Sequence, residues 1–355
     1  MPTASAWGLW RGKWAWVAVR TEEGRIRVGG RGDDDRDVAS MSSAGVAAEA
    51  YRHEAFFWSG EDEFLAGTTK FVREGVLAGE PVMVCVIGSR LAGLRNELGT
   101  LADEVRLVDM GELGRNPARI IPAWQQFVDE CTVGGQPVRG IGEPIWAGRR
   151  PGELSECQLH EALLDIALSP ETPLWLLCPY DVHGLEEDVL AEARRTHPGF
   201  MTSGATRRRG WLSGEQRADD GFHVDLPDAG GPARFRRTFT ARTLRDLRDD
   251  VLAEARAAGV SAERSADLAL SVHEVATNSV VHARGAGVLQ IWRESGALVC
   301  EVRDPGQISD PMIGRRAPGV ESLHGRGLWM VNQLCDLVQI RSHAAGTTIR
   351  LHTWL

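Results

Sequence analysis

At roughly 150 residues per domain, the 355 residues of this chain suffice for two independent cores. Lys plus Arg (40) against Asp plus Glu (49) leaves a formal charge of −9, which argues against a broad nucleic-acid-binding surface. No run reaches the 18 or so consecutive apolar residues of a membrane span, and the opening MPTASAWGLWRGKWAWVAVR has basic residues inside its apolar stretch, unlike a secretory leader. A cytoplasmic protein with no membrane contact is therefore expected. Cysteines 85, 131, 157, 178, 300 and 335 include no C-x-x-C pair, so neither a zinc knuckle nor a disulfide framework is expected.

Residues 1–50 show no sustained period, and VGGRGDDDRDVASMSSAG is rich in Gly, Asp and Ser. They read as a disordered extension, with Met41 a second candidate start. Residues 51–198 alternate apolar runs (PVMVCVIG, VRLVDM, QPVRGIG, PLWLLCPYD) with amphipathic stretches such as EDEFLAGTTKFVREGVLAG and ELSECQLHEALLDIAL. That alternation predicts a mostly parallel sheet covered by helices. Residues 199–233 break the pattern and read as a linker, with Arg207, Arg208 and Arg209 either solvated or a partner-docking patch.

Residues 234–355 change character again. FRRTFT predicts a strand, and Leu244, Leu247, Val251 and Ala255 mark one face of a helix closed by Gly259. A second helix is expected from an N-cap at Ser261 to about Ala283, with Leu268, Val272, Val275 and Ser279 inward. GVLQIWRE and ALVCEVRD predict a hairpin around Ser295-Gly296, followed by a loop, a short helix from Gly327, and the strands DLVQIRSH and TTIRLHTWL. The expected result is a helical layer on a mixed or antiparallel sheet.

Glu274, Asn278 and His282 are four apart on the second helix and form a polar stripe beside its apolar one. Carboxylate and carboxamide oxygens suit a hard cation such as Mg²⁺, while a solvated helix face is the plainer alternative. Asp304-Pro305-Gly306 ends an apolar strand, where a carboxylate can accept from an exocyclic amine and glycine admits a close-lying base; a simple turn would also read this way. His324-Gly325-Arg326-Gly327-Leu328 opens a helix, offering backbone amides to phosphate at its positive end, or else a flexible junction. Gly346-Thr347 begins the last strand.

In this order and on these elements, the four motifs resemble the GHKL ATP-binding domain (Bergerat fold), and more closely the anti-sigma-factor serine/threonine kinases of the RsbW and SpoIIAB type. EVATNSVVHA is similar to that family's N-box, DPG to its first glycine box, GRGLWMVNQLCD to its second and GTTIRLH to its closing strand. The resemblance implies an α/β sandwich that binds ATP and Mg²⁺. Asn278 would bind the metal, Glu274 would act as or orient the base, and Asp304 would contact adenine with Gly306 and Thr347 shaping its pocket. Gly325, Arg326, Gly327 and Leu328 would hold phosphates, and His282 would either join them or cap its helix. The sequence departs from the family at D-P-G-Q-I, where Ile308 replaces a second glycine. In the following loop Arg315 or Arg316 would reach the γ-phosphate or remain a solvated lid charge. The implied partners are a sigma factor and a STAS-type anti-anti-sigma protein, whose Ser or Thr would be phosphorylated, with homodimerisation by analogy. The alternative is a non-catalytic, ATP-dependent switch that sequesters a sigma factor. No dimerisation helix with a phosphoacceptor His precedes the domain, and no helix-turn-helix supports a DNA-binding repressor.

Residues 53–198 resemble the MEDS sensory domain through HEAFFWSGEDEFL, FVREGVLAGEPVMVCV, RNPARIIPAW, GIGEPIWAGR, CQLHEALLDIA and LLCPYD. Their layout is also similar to a RecA or KaiC core, a three-layer parallel-sheet domain. Where a P-loop would stand, Gly60 and Gly67 flank Glu61, Asp62 and Glu63, so phosphate binding there is not expected. A degenerate site sensing a small molecule or another signal is. Candidate pocket residues are His53, Glu143, Trp146, Arg149, His160, Glu161, Tyr180 and Asp181, several at expected strand ends. His160 and Trp146 read equally well as packing residues, and no spacing among these residues is diagnostic of a metal.

Overall fold

The computed structural model describes residues 51–132, 135–202, 205–208, 214–229, 233–319 and 325–355, with backbone alone at 202, 205–208 and 215. The expected extension 1–50, Arg209 and His324 lie outside the described residues. The apolar runs of the first half become β1 (Arg52–Trp58), β2 (Val82–Val86), β3 (Val105–Asp109), β4 (Val138–Gly142) and β5 (Leu174–Asp181). Between them lie α1 (Glu61–Leu77), α2 (Gly88–Leu98), α3 (Met110–Leu113), α4 (Ile120–Cys131) and α5 (Pro151–Ala167), and α6 (Glu187–Thr196) follows β5. The strands run parallel in the order β3-β2-β4-β5-β1.

Alternate strand residues feed two cores. Phe56, Trp58, Val82, Val84 and Leu177 pack with α1 and α2, whereas Ala55, Phe57, Met83, Cys85 and Leu176 pack with α4, α5 and α6. A sheet buried on both faces explains why these strands read as continuous apolar runs rather than alternating ones.

Within the segment expected to be a linker, 199–233, the described residues include two strands and a helix. β6 (Gly199–Thr202) adds in parallel to the open side of β1, and β7 (Ala205–Arg208) pairs antiparallel with β6, so the sheet has seven strands among the described residues. Arg207 and Arg208 thus lie on an edge strand. α7 (Gly214–His223) then packs on α5, burying Ala218 and Phe222. The Gly, Arg and Asp content suggested a loop, but the free edge of β1 and an apolar pair four residues apart were enough to recruit it.

The second half follows its expected order: β8 (Phe235–Thr240), α8 (Leu244–Ala257), α9 (Ala262–His282), β9 (Ala286–Glu294), β10 (Ala297–Asp304), α10 (Arg326–Leu334), β11 (Leu337–His343) and β12 (Gly346–Trp354). The sheet is wholly antiparallel in the order β11-β12-β10-β9-β8. Ser261 Oγ accepts from Arg264 N at 3.3 Å, which fixes the start of α9. Ser295 and Gly296 both have positive φ (47° and 76°), as a two-residue hairpin of matching twist requires. Leu247, Val251, Leu268, Val272 and Val275 pack on Leu289, Ile291, Leu298 and Cys300 of the sheet.

The halves meet through well-defined contacts. Arg119, in the 3₁₀ turn Pro117–Arg119, donates to the carbonyls of Asn332 (2.8 Å), Gln333 (2.6 Å) and Cys335 (3.0 Å) at the C-terminal end of α10. These are carbonyls that a helix end leaves without intrahelical partners. Asn116 Nδ2 adds two bonds of 3.0 Å to the Asn332 carbonyl and side-chain oxygens. Between β10 and α10, Met312 is buried in the first half's core and Ile313 packs on the second's.

Candidate functional site

Between α9, the end of β10, the start of α10 and β12 lies a cavity of about 470 Å³. It brings together eight of the residues expected to bind nucleotide: Asn278, His282, Asp304, Gly306, Gly325, Gly327, Leu328 and Thr347. Glu274, one turn before Asn278, faces the same helix opening. A Cβ on Gly327 would lie 3.1 Å from Glu274 Oε2 and 3.6 Å from Asn278 Nδ2. Gly325, in a left-handed conformation (φ 82°), forms the N-cap, so the positive end of α10 is directed at this carboxylate and carboxamide.

At the other end of the cavity the Asp304 carboxylate is held on both oxygens. Ser279 Oγ donates to Oδ2 at 2.6 Å and Gly306 N to Oδ1 at 2.8 Å. A side chain at Gly306 would meet the Cβ of Ala283 at 2.5 Å, so this wall is open only because glycine stands there. Thr347 Oγ1 donates to Gly306 O at 2.9 Å, and its remaining contact, 2.9 Å from Ser342 Oγ, therefore receives the serine proton. Ser342 Oγ in turn accepts from Ile308 N at 2.8 Å. Ser279 was expected only as an inward-facing helix position, not as a partner of Asp304, and Ser342 was not expected at all. Only the adjacency of Ser279 to Asn278 could have signalled the first.

Two expectations change here, those for Arg326 and Arg315, while Arg316 follows the solvated alternative. Arg326 is exposed, with Nη2 3.5 Å from Gly319 O, and is not among the cavity's lining residues. Arg315 is buried, and its guanidinium donates to Glu156 Oε2 of α5 at 2.8 Å, so it is a contact between the halves rather than a phosphate ligand. Arg316 is exposed and pairs with Asp310 at 2.9 Å. What draws Arg315 inward is Glu156, which is buried and needs compensation; Arg341 Nη2 binds its other oxygen at 2.6 Å.

The expected sensory residues do not form one pocket. Glu143 is buried, accepts from Ile87 N at 3.2 Å and pairs with Arg90, whose Nη2 lies 3.7 Å from Asp181. Trp146 is stacked by Arg149 at 3.7 Å, and Arg149 donates to Pro144 O and Gly114 O, bracing the loop. His160 is buried and burial pulls it down to about 3, which keeps it neutral. Of the expected residues, His53, Glu161 and Tyr180 meet in a deeper cluster with Cys178 and His197, all of them buried. His53 Nε2 is 3.1 Å from Glu161 Oε2 and 3.3 Å from Cys178 Sγ, and His197 Nε2 is 3.4 Å from Glu161 Oε2. Burial pushes the Cys178 thiol up to about 12, and burial beside Glu161 raises the Tyr180 phenol. Cys178 and His197 were missed because they meet His53 only through the parallel pairing of β5 and β6 with β1.

Residues 52–198 match the model of the MEDS family, the MEthanogen/methylotroph, DcmR Sensory domain, and residues 238–353 match that of the Histidine kinase-like ATPase domain. The two matches place a MEDS domain ahead of a histidine kinase-like ATPase domain in one chain. The segment carrying β6, β7 and α7 falls outside both. Among solved structures, the chain is similar to the RsbU and RsbW domains of Rv1364c from Mycobacterium tuberculosis, at 21% identity and a TM-score of 0.27. That match covers 34% of this chain and 32% of the other, so the chain spans about a third of that relative. No curated protein matches. No described helix is long and apolar enough to cross a membrane.

Proposed function

We propose that the cavity between α9 and α10 binds ATP with Mg²⁺, and that the protein is a cytoplasmic serine/threonine kinase and anti-sigma factor acting on a STAS-type partner. The observation that carries this reading is Gly327, whose missing side chain lets the positive end of α10 approach Glu274 and Asn278. The residues fit the nucleotide on a second count, because Gly306 leaves an opening beside an Asp304 already oriented by Ser279. Asn278 would hold the metal, and Asp304 would accept from the adenine amine. Bound MgATP would supply the transferable phosphoryl group. Glu274 would take the proton of the partner's hydroxyl or orient the group that does. The partner classes rest on the resemblance of the four motifs to RsbW- and SpoIIAB-type kinases. We read the parallel strand order of the MEDS half as the RecA- or KaiC-like layout, with a sensory rather than a nucleotide role.

A second reading, a nucleotide-dependent sequestering switch without transfer, is favoured by the loop after β10. Ile308 N is tied to Ser342 and Arg315 to Glu156, so neither serves as a free hinge or a phosphate ligand. Calorimetric titration of the full chain with ATP, with and without Mg²⁺, tests the site; Asn278→Ala should abolish the Mg²⁺-dependent component. Glu274→Ala should retain binding and lose transfer to a STAS partner. Transfer at the wild-type rate in Glu274→Ala removes the base assignment, and ATP binding without any transfer by the wild type selects the switch.

A further inference from the structure

The cluster at the base of the MEDS half has a donor and acceptor arrangement that hydrogen bonds alone do not satisfy. His197 Nδ1 lies 2.9 Å from Ala193 O, so the ring N–H sits on Nδ1 and Nε2 is a bare lone pair. That lone pair faces the Glu161 carboxylate at 3.4 Å, and both Glu161 oxygens and His197 Nε2 are buried without a hydrogen-bond partner. An acceptor facing an acceptor in a dry interior is unfavourable unless a proton or a metal cation stands between them, and burial disfavours the protonated His197 ring. His53 Nδ1 lies 3.2 Å from Asp165 Oδ1 and Nε2 lies 3.3 Å from the Cys178 thiol and 3.1 Å from Glu161 Oε2, so a neutral ring that donates to Asp165 and accepts from the thiol gives the Glu161 carboxylate no proton.

We propose that His53 Nε2, His197 Nε2, Cys178 Sγ and a Glu161 carboxylate oxygen form a closed four-ligand site for a borderline divalent transition metal, best Zn²⁺. Their ligating atoms lie within 4.8 Å of one another. The closest approaches, 3.1–3.4 Å, are near the edge of a tetrahedron with bonds of about 2.0–2.3 Å. Two imidazoles and a thiolate select against Mg²⁺ and Ca²⁺. Each histidine presents Nε2 inward while Nδ1 is oriented by a carboxylate or a backbone carbonyl, as metal-bound imidazoles usually are. Asp165 is itself fixed by Arg217 Nη2 at 2.8 Å. On binding, Cys178 releases its thiol proton, and thiolate, carboxylate and dication leave the buried site neutral. With four protein ligands and no open position, the site is suited to holding β1, α5, β5 and the end of α6 together rather than to catalysis.

The test uses full-length protein stripped with a chelator and titrated with Co²⁺ as the probe. We expect one Co²⁺ per chain, with intense tetrahedral visible bands and a thiolate-to-cobalt charge-transfer band, both displaced by Zn²⁺. Cys178→Ser should lose the charge-transfer band. Asp165→Asn should keep the stoichiometry and bind about 10–100-fold more weakly. The proposal is overturned if folded wild-type protein binds no Co²⁺ or Zn²⁺, if it binds Co²⁺ without a thiolate band, or if the band survives in Cys178→Ser. The wild-type spectrum decides even where a variant fails to fold, and none of these readings depends on the nucleotide site.

Discussion

Gly327 separates function from stability at a single position. It lies in the first turn of α10, where alanine is the better helix former by up to about 1 kcal/mol. Its Cβ, however, would press on Glu274 Oε2 at 3.1 Å. Gly327→Ala should therefore melt at the same temperature or slightly higher, while the proposed phosphotransfer falls about tenfold, since a 1 Å misplacement of a reacting group can cost about 100-fold. Thermal melts and a transfer assay on the same preparation check both halves; unchanged transfer would remove Glu274 from the site. His352 on β12 gives a prediction in pH. Burial, and next the Arg350 guanidinium, pull it down to about 4 from an ordinary value of 6.5, with Arg150 acting in the same direction and Glu294 against them. The folded state thus resists a proton that the unfolded chain accepts, so stability is full above pH 6.5 and is lost as pH falls toward 4. The loss attributable to this group is about 3 kcal/mol. His352→Gln, which keeps an amide near Gln339, should flatten the acid limb of a denaturant-midpoint profile by that order.

α5 presents two faces to two different problems. Glu161 and Asp165, four residues apart, face the histidine cluster, whereas Glu156 faces Arg315 and Arg341 across the boundary between the halves. Removing the Glu156 charge leaves two buried guanidinium groups side by side. Glu156→Gln should destabilise the chain by about 3–5 kcal/mol. Adding Arg315→Met should recover part of that loss, with the denaturation midpoints of single and double variants as the measure; equal midpoints for wild type and Glu156→Gln would show that the pair is solvated. The same helix shows what the sequence could and could not disclose. The elements that carry Glu274, Asn278, Asp304 and Thr347 were legible because each residue sits in a short motif whose element type follows from local periodicity. Glu156 was not, because nothing within one helix says which arginine of another half it will meet. Nor was α7, where a helix with a two-residue apolar stripe was hidden by a loop-like composition. Arg315 was misplaced for the same reason, a lid charge by sequence and a buried partner by packing.

Across the whole molecule, α10 is gripped at both ends. Its N-terminal amides open on the cavity with Glu274 and Asn278, and its C-terminal carbonyls are held by Arg119 and Asn116 from the MEDS half. Composition and periodicity divided the chain into a parallel-sheet half and an antiparallel one, and the two sheets follow that division. What joins them, polar contacts between residues more than 150 positions apart, leaves no periodic trace in a sequence. If the cavity binds ATP as proposed, a helix held in this way would make nucleotide affinity a reciprocal quantity. If a ligand of the MEDS half displaces Arg119 and tightens ATP tenfold, ATP must tighten that ligand tenfold in return, about 1.4 kcal/mol shared in both directions. The cell's ATP level would then set the threshold at which the first half responds, and the first half would work as a comparator of two concentrations rather than as a detector of one.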